Sequence, residues 1–189
     1  MKDGPFFFFY PRLVVELGMG DGILLESLAK RDGNSIFIGI ERNNKQCVQA
    51  RSRITLSNVI IMNISFEDIV PTFLNESIDQ FLAVLPDPAF IDGKREEQWK
   101  PFYKSVYYKL KKGGRLLLVT ELTDELLQPV SNDQYFAWAD WLKSCFLSLG
   151  FALASQSDGA PRQYLSRCIK QFRGDPERIR MITLDLIKP

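Results

Sequence analysis

The sequence predicts an α/β fold, a mostly parallel seven-stranded sheet with helices on both faces. Three observations predict it. Seven short apolar runs alternate with stretches whose apolar residues recur every three or four positions, the pattern of strands joined by crossover helices. The earliest runs are continuously hydrophobic, as strands covered on both faces are. The first run also turns into a helical pattern over three alternating glycines, Gly18, Gly20 and Gly22, and glycine allows a tight turn with close approach of backbone to a ligand.

The predicted strands are Leu13–Leu17, Ile36–Ile40, Val59–Met62, Gln80–Leu85, Arg115–Thr120, Phe151–Ser155 and Arg180–Leu186. Helical patterns fall between them at Gly22–Arg31, Asn43–Leu56, a short Glu67–Phe73, Glu96–Leu110 and Asp133–Leu149. In the last, Tyr135, Trp138, Leu142, Cys145, Phe146 and Leu149 form one buried stripe, which reads as core. Trp99, Phe102, Tyr103, Val106 and Leu110 do the same in the helix before it. Lys112-Gly113-Gly114 reads as a glycine C-cap leading into the fifth strand,. No repeat, low-complexity tract or long linker interrupts the pattern, so residues 1–189 are expected to form one domain, with residues 1–11 as an apolar arm (Phe6–Tyr10) packed on it or closing over a cofactor.

Composition narrows the chemistry. A chain of 189 residues with 46% hydrophobic and 25% charged content can bury a sizeable core,. It contains no histidine, which removes His-based general bases, His-dependent triads and His metal sites. Cys47, Cys145 and Cys168 are far apart and lack a Cys-x-x-Cys spacing, so reduced thiols in a cytoplasmic protein are expected, with no structural metal. Phe6–Tyr10 is too short for a membrane span or a signal-peptide core. Charge is uneven: residues 1–161 carry 17 Lys/Arg and 20 Asp/Glu, whereas residues 162–189 carry 7 and 3. That asymmetry suits either a solvated surface or a phosphate-contacting face.

The glycine corner carries the most specific chemistry. A dinucleotide fingerprint, Gly-x-Gly-x-x-Gly, needs its third glycine at 23, where the sequence has Ile23,. Glu16-x-Gly18-x-Gly20-x-Gly22 instead resembles the first motif of class I S-adenosylmethionine-dependent methyltransferases, which implies a Rossmann-like class I methyltransferase fold. Ligands of such sheets sit beyond the carboxyl ends of the strands, where strand order reverses. Glu41 closes the second strand 23 residues after Gly18, near the interval for a ribose-binding acid. The expected cofactor contacts are Glu16, Gly18, Gly20, Gly22, Glu41, Asp87, and Ser65 or Phe66 at the exit of the third strand, with S-adenosylmethionine as cofactor.

Further along, Pro86-Asp87-Pro88 follows the fourth strand, Pro101-Phe102 comes next, and a Gly-Gly strand ends at Thr120-Glu121. This order resembles the bacterial tRNA (guanine-N7-)-methyltransferase family over roughly residues 13–125. The resemblance implies methyl transfer to guanine N7 in tRNA, with Asp87 and Glu121 as the catalytic acids on the substrate side. It also implies substrate contacts from Lys94 and Arg95 and from Arg162 and Tyr164, the latter two in the segment that corresponds to the family's guanine clamp. Other basic residues of the 94–115 region, with Arg167, Lys170 and Arg173, are expected to meet phosphates. A monomer or homodimer without a membrane partner is expected.

The chain departs from that family at Ala89, where the family has Trp, at Ile91, where it has Lys, and at Leu165 in the clamp segment. A methyl acceptor other than tRNA guanine, small molecule or RNA, and a non-catalytic S-adenosylmethionine-binding module therefore stay open. Asp87 also reads as an ordinary turn residue.

Overall fold

The computed structural model describes residues 11–124 and 126–189; the arm at Phe6–Tyr10 lies outside the described residues. Seven strands, β1 (Arg12–Leu17), β2 (Ser35–Ile40), β3 (Val59–Met62), β4 (Ile78–Val84), β5 (Leu110–Thr123), β6 (Ala152–Asp158) and β7 (Ile179–Ile187), form one sheet of order β3-β2-β1-β4-β5-β7-β6. All neighbouring pairs are parallel except those made by β7, which runs antiparallel to both β5 and β6. Strand order reverses between β1 and β4, so the crevice for a ligand opens at their carboxyl ends.

Alternation along the strands sends side chains to two apolar layers. Val15, Leu17, Phe81, Ala83, Leu116 and Leu118 face α4 (Glu96–Lys109) and α5 (Asn132–Ser148). Val14, Phe37 and Leu82 face α1 (Ile23–Arg31) and α2 (Asn44–Arg53). A third group, Leu24, Val119, Tyr164 and Ile169, lies under α6 (Arg167–Arg173). The remaining helix, α3 (Phe66–Ile69), is a single turn continued by a 3-10 turn over Val70–Thr72. Start signals are local: Asn43 accepts from the N–H groups of Lys45 and Gln46, and Ser131 with Gln134 forms a reciprocal capping box,. No helix among the described residues is long and apolar enough to cross a membrane.

Two expectations change. The glycine pair does not cap α4, which ends at Lys109 with Leu110 already extended. Gly113 donates to Lys188 O and Gly114 O accepts from Lys188 N–H, so the pair forms an irregular start to β5 held by Lys188, just beyond β7. Gly113 sits at φ 73°, a conformation glycine adopts without strain. The second change is α6, which the sequence pattern does not announce because Ile169 is its sole buried residue; Ser166 before it and Gly174 after it are the readable boundaries.

Candidate cofactor cleft

Every segment of the cleft begins at the carboxyl end of a strand. The glycine turn after β1 folds back on β2: Gly18 and Met19 both donate to Ile40 O, each at 2.9 Å, and Gly22 donates to Met19 O at 3.0 Å. Gly18 and Gly20 hold φ of 73° and 56°, which the turn requires and which a side chain would strain. Gly39, on the neighbouring strand, lets Met19 in: a Cβ there would lie 2.3 Å from Met19 Sδ. Gly22 serves packing, since a Cβ on it would come within 3.1 Å of Ile54 Cδ1 and 3.3 Å of Ala50 Cβ.

Glu41 joins the turn to the next strand end. Its Oε2 accepts from Gly20 N–H at 3.0 Å and its Oε1 from Asn43 N–H at 2.7 Å. Both oxygens keep a lone pair, and an ionised carboxylate offers about four acceptor directions, so ribose hydroxyls can still donate to it.

Two adjoining hollows share Gly18 and Leu85 in their walls. The first, about 210 Å³, is lined by Glu41, Arg42, Ser65, Phe66, Pro86, Asp87 and Phe90 among others. Phe66, Phe90 and Phe102 pack edge-on and tilted with centroids 4.8–5.6 Å apart, which makes a rigid apolar wall. The second, about 360 Å³, takes in Glu16, Asp21, Leu24, Gln46, Gln49, Val84 and residues 166–168. Leu85 stands between them at φ 51°, directly before Pro86. Residues before proline favour extended backbone, so this is a strained link, of the kind that gathers at ligand sites. It is fixed by Leu85 N–H donating to Val119 O at 2.7 Å.

Glu16 is the electrostatic centre of the second hollow. It is 3% exposed, and its Oε2 has no hydrogen-bond partner among the described residues. Burial first, then the charges of Asp21 and Glu41, push its carboxyl up to about 8. An unsatisfied buried acceptor costs about 1–3 kcal/mol, and a cationic ligand group removes that cost. The ammonium of S-adenosylmethionine is such a group, and the residues present fit it.

Asp87 stands at the rim of the first hollow. Its Oδ1 accepts from Ala89 N–H at 3.0 Å, and its Oδ2 lies 3.6 Å from Arg42 Nη2 in an exposed ion pair. Ser65 caps α3 by accepting from Glu67 N–H at 3.2 Å. The structure therefore brings Glu16, Gly18, Gly20, Glu41, Ser65, Phe66 and Asp87 together. Glu121 is not among the residues lining either hollow. It lies opposite Met181 on β7, its Oε2 is buried and unpartnered, and burial lifts its carboxyl to about 7.

The remaining substrate-side residues are dispersed. Lys94 and Arg95 are exposed on a 3-10 turn, where Arg95 pairs with Asp92 at 3.8 Å. Arg162 is exposed, whereas Tyr164 is 4% exposed and lines a separate hollow with Val14, Phe37 and Leu82. Arg173 is not a phosphate contact, because its guanidinium donates to the carbonyls of Tyr164, Ala160 and Pro161. Most of the basic residues between 100 and 115 are also held within the fold: Lys100 pairs with Glu96, Lys111 with Asp79 and Arg115 with Asp185. Arg115 and Lys111 sit at the amino end of the parallel strands, opposite the cleft.

Sequence reasoning did not find Arg42, Leu85, Phe90 or the Gln46–Gln49 pair. Proximity to Glu41 and to the Pro-Asp-Pro turn was the available signal for the first three; helix spacing was the signal for the fourth.

A strand order that reverses at a glycine turn, with acids at two successive strand ends, is an arrangement that binds nucleotide-like ligands, and comparison with known proteins narrows it. Residues 11–136 match a family described as "Putative methyltransferase". The chain belongs to this methyltransferase family. A Campylobacter fetus tRNA (guanine-N(7)-)-methyltransferase is 28% identical over 152 residues, 79% of this chain and 34% of that protein. The chain thus spans about a third of that relative's length. Among solved structures, the 16S rRNA methyltransferase KamB overlays with a TM-score of 0.71 at 13% identity, covering 95% of this chain and 89% of that one. A Haemonchus contortus N-methyltransferase complexed with S-adenosylhomocysteine overlays at 0.67 and 13% identity, covering 95% and 49%. The fold is that of S-adenosylmethionine-dependent methyltransferases.

Proposed function

We propose that this chain transfers the methyl group of S-adenosylmethionine to N7 of guanine in tRNA. The likeness to the Campylobacter fetus protein of that name, over 79% of this chain, carries the reading. Bound S-adenosylmethionine supplies a methyl group on a sulfonium. Glu16 takes the ammonium of its amino-acid end, Glu41 takes the ribose hydroxyls, and Ser65, Phe66 and Phe90 enclose the base. Leu85, Pro86 and Asp87 border the opening through which an acceptor reaches the methyl carbon.

The chemistry asks little of the acceptor side. Guanine N7 carries an in-plane lone pair and no proton, so the N–C bond forms as the C–S bond breaks, and the C–S electron pair stays on sulfur as S-adenosylhomocysteine. No base removes a proton in that step, which suits a site without histidine. Holding N7 in line is catalysis by orientation. The ring gains positive charge as the bond forms, and the Asp87 carboxylate at the rim stabilises it. Glu121 is proposed to act on the same side by ordering the end of β5, and Lys94, Arg95 and Arg162 to shape the approach of the RNA, while buried Tyr164 supports the segment that carries Arg162.

One observation favours a second reading, transfer to a different acceptor. Behind Asp87 the wall is apolar: Ala89 is half-buried and Ile91 is 6% exposed within the core. Labelled methyl transfer to unmodified tRNA, followed by mapping of the modified position, separates the two. Label at guanine N7, with tRNA affinity that falls steeply with salt, supports the first reading. Transfer to another atom or to a small molecule supports the second.

A further inference from the structure

We infer that Arg167 holds the carboxylate of the cofactor's amino-acid end, opposite Glu16 at its ammonium, so that the segment after β6 completes the cofactor site. The inference rests on the S-adenosylmethionine reading of the cleft. Arg167 lies outside the part of the chain that matches the methyltransferase family, residues 11–136.

The donor inventory leads to it. The amino-acid end is a zwitterion, and its carboxylate needs hydrogen-bond donors in a hollow that already carries Glu16 and Asp21, with Glu41 close behind. Backbone amides of a glycine turn would be the ordinary source. Here most of them are committed: Gly18 and Met19 donate to Ile40 O, Gly20 to Glu41, Gly22 to Met19 O, and Ile23 to Asp21 Oδ1, and an amide carries no full charge to set against the carboxylates. Among the residues lining the hollow Arg167 is the one cation, and it has no hydrogen bond or ion pair among the described residues. An anion placed among carboxylates without a counter-charge is repelled, whereas a guanidinium offers paired donors matched to a carboxylate. Gln46 and Gln49, which also line the hollow, add neutral donors and cannot supply the charge.

Burial and position agree. Ser166 caps α6 by accepting from Ile169 N–H at 3.4 Å, and Ile169 is fully buried against Leu24 and Val119. That anchor fixes the backbone at Arg167 over the mouth of the hollow while leaving its side chain exposed.

The test is calorimetric binding with two ligands differing by one group: S-adenosylmethionine, and decarboxylated S-adenosylmethionine, which keeps the ammonium and lacks the carboxylate. Wild type is expected to favour S-adenosylmethionine. Arg167→Gln should weaken S-adenosylmethionine by about 10- to 100-fold and leave the decarboxylated ligand unchanged or slightly tighter, with Arg167→Lys between. Arg178→Gln, an exposed arginine outside the hollow that pairs with Asp175, should alter neither. Equal binding of S-adenosylmethionine by wild type and Arg167→Gln overturns the inference. So does an equal loss of both ligands, which marks a structural role. Failure of wild type to bind either ligand defeats the cofactor reading itself.

Discussion

At the donor end of the cleft the polar groups are gripped by backbone. Glu41 accepts two N–H groups and the glycine turn is tied to Ile40, while Glu16 is sealed beneath. The acceptor end is made of exposed side chains, with Asp87 and Arg42 paired loosely across the rim. The difference teaches that the donor end is preorganised around one ligand, and that the acceptor end can rearrange around whatever it meets. Exposed ion pairs contribute about 0–1 kcal/mol, so the Arg42–Asp87 pair yields readily to a phosphate or a base.

Substitutions at the two ends should separate accordingly. The largest effect is expected at Glu16→Gln: binding of S-adenosylhomocysteine, measured by calorimetry, should weaken by about 100-fold. The same change should stabilise the unliganded protein at pH 8.5 by on the order of 1–3 kcal/mol, read as a higher Tm. The sign follows from the raised carboxyl, about 8 against 4.5 unfolded. The fold binds the proton more tightly, so unliganded stability declines as pH rises across that window and the decline ends above about 8. Glu121, lifted to about 7, adds a decline of the same sign.

Next comes Asp87→Ala, which should lower kcat/KM for tRNA by roughly 10- to 100-fold with S-adenosylhomocysteine affinity unchanged. Equal activity would remove Asp87 from the acceptor side. Gly39→Ala should cost about 1–3 kcal/mol in denaturant unfolding, because its Cβ would lie 2.3 Å from Met19 Sδ and 2.6 Å from Leu25 Cδ2. A neutral result would show that Met19 does not brace the turn. Smallest is Arg42→Ala, for which a stability change under about 1 kcal/mol is expected; a larger one would mean that the rim is as rigid as the donor end.

The same contrast explains what could be read from sequence. β1, β2, β3 and β4 and the corner at Glu16–Gly22 were legible because buried parallel strands and glycine turns have strong local signatures. The positive φ of Leu85 was not, since it is held against the preference of a residue before proline by a hydrogen bond to Val119 O on β5, a tertiary constraint. Gly113-Gly114 was misread because a glycine after a helix looks alike whether it caps the helix or opens a strand. The cations of residues 100–115 were readable as charge, but their partners Asp79 and Asp185 come from distant strands. Arg167 was visible only as part of a basic tail, since its place at the cleft depends on α6 folding back over β5.

The claim on which the donor end stands is that Glu16 waits, protonated and unpaired, for a cation. Calorimetric titration with S-adenosylhomocysteine at pH 7 in buffers of different ionisation enthalpy tests it directly. The account predicts release of close to one proton per cofactor bound, affinity rising by up to about tenfold per pH unit toward pH 8, and loss of both effects in Glu16→Gln. Binding with no net proton release and a flat dependence on pH would contradict it.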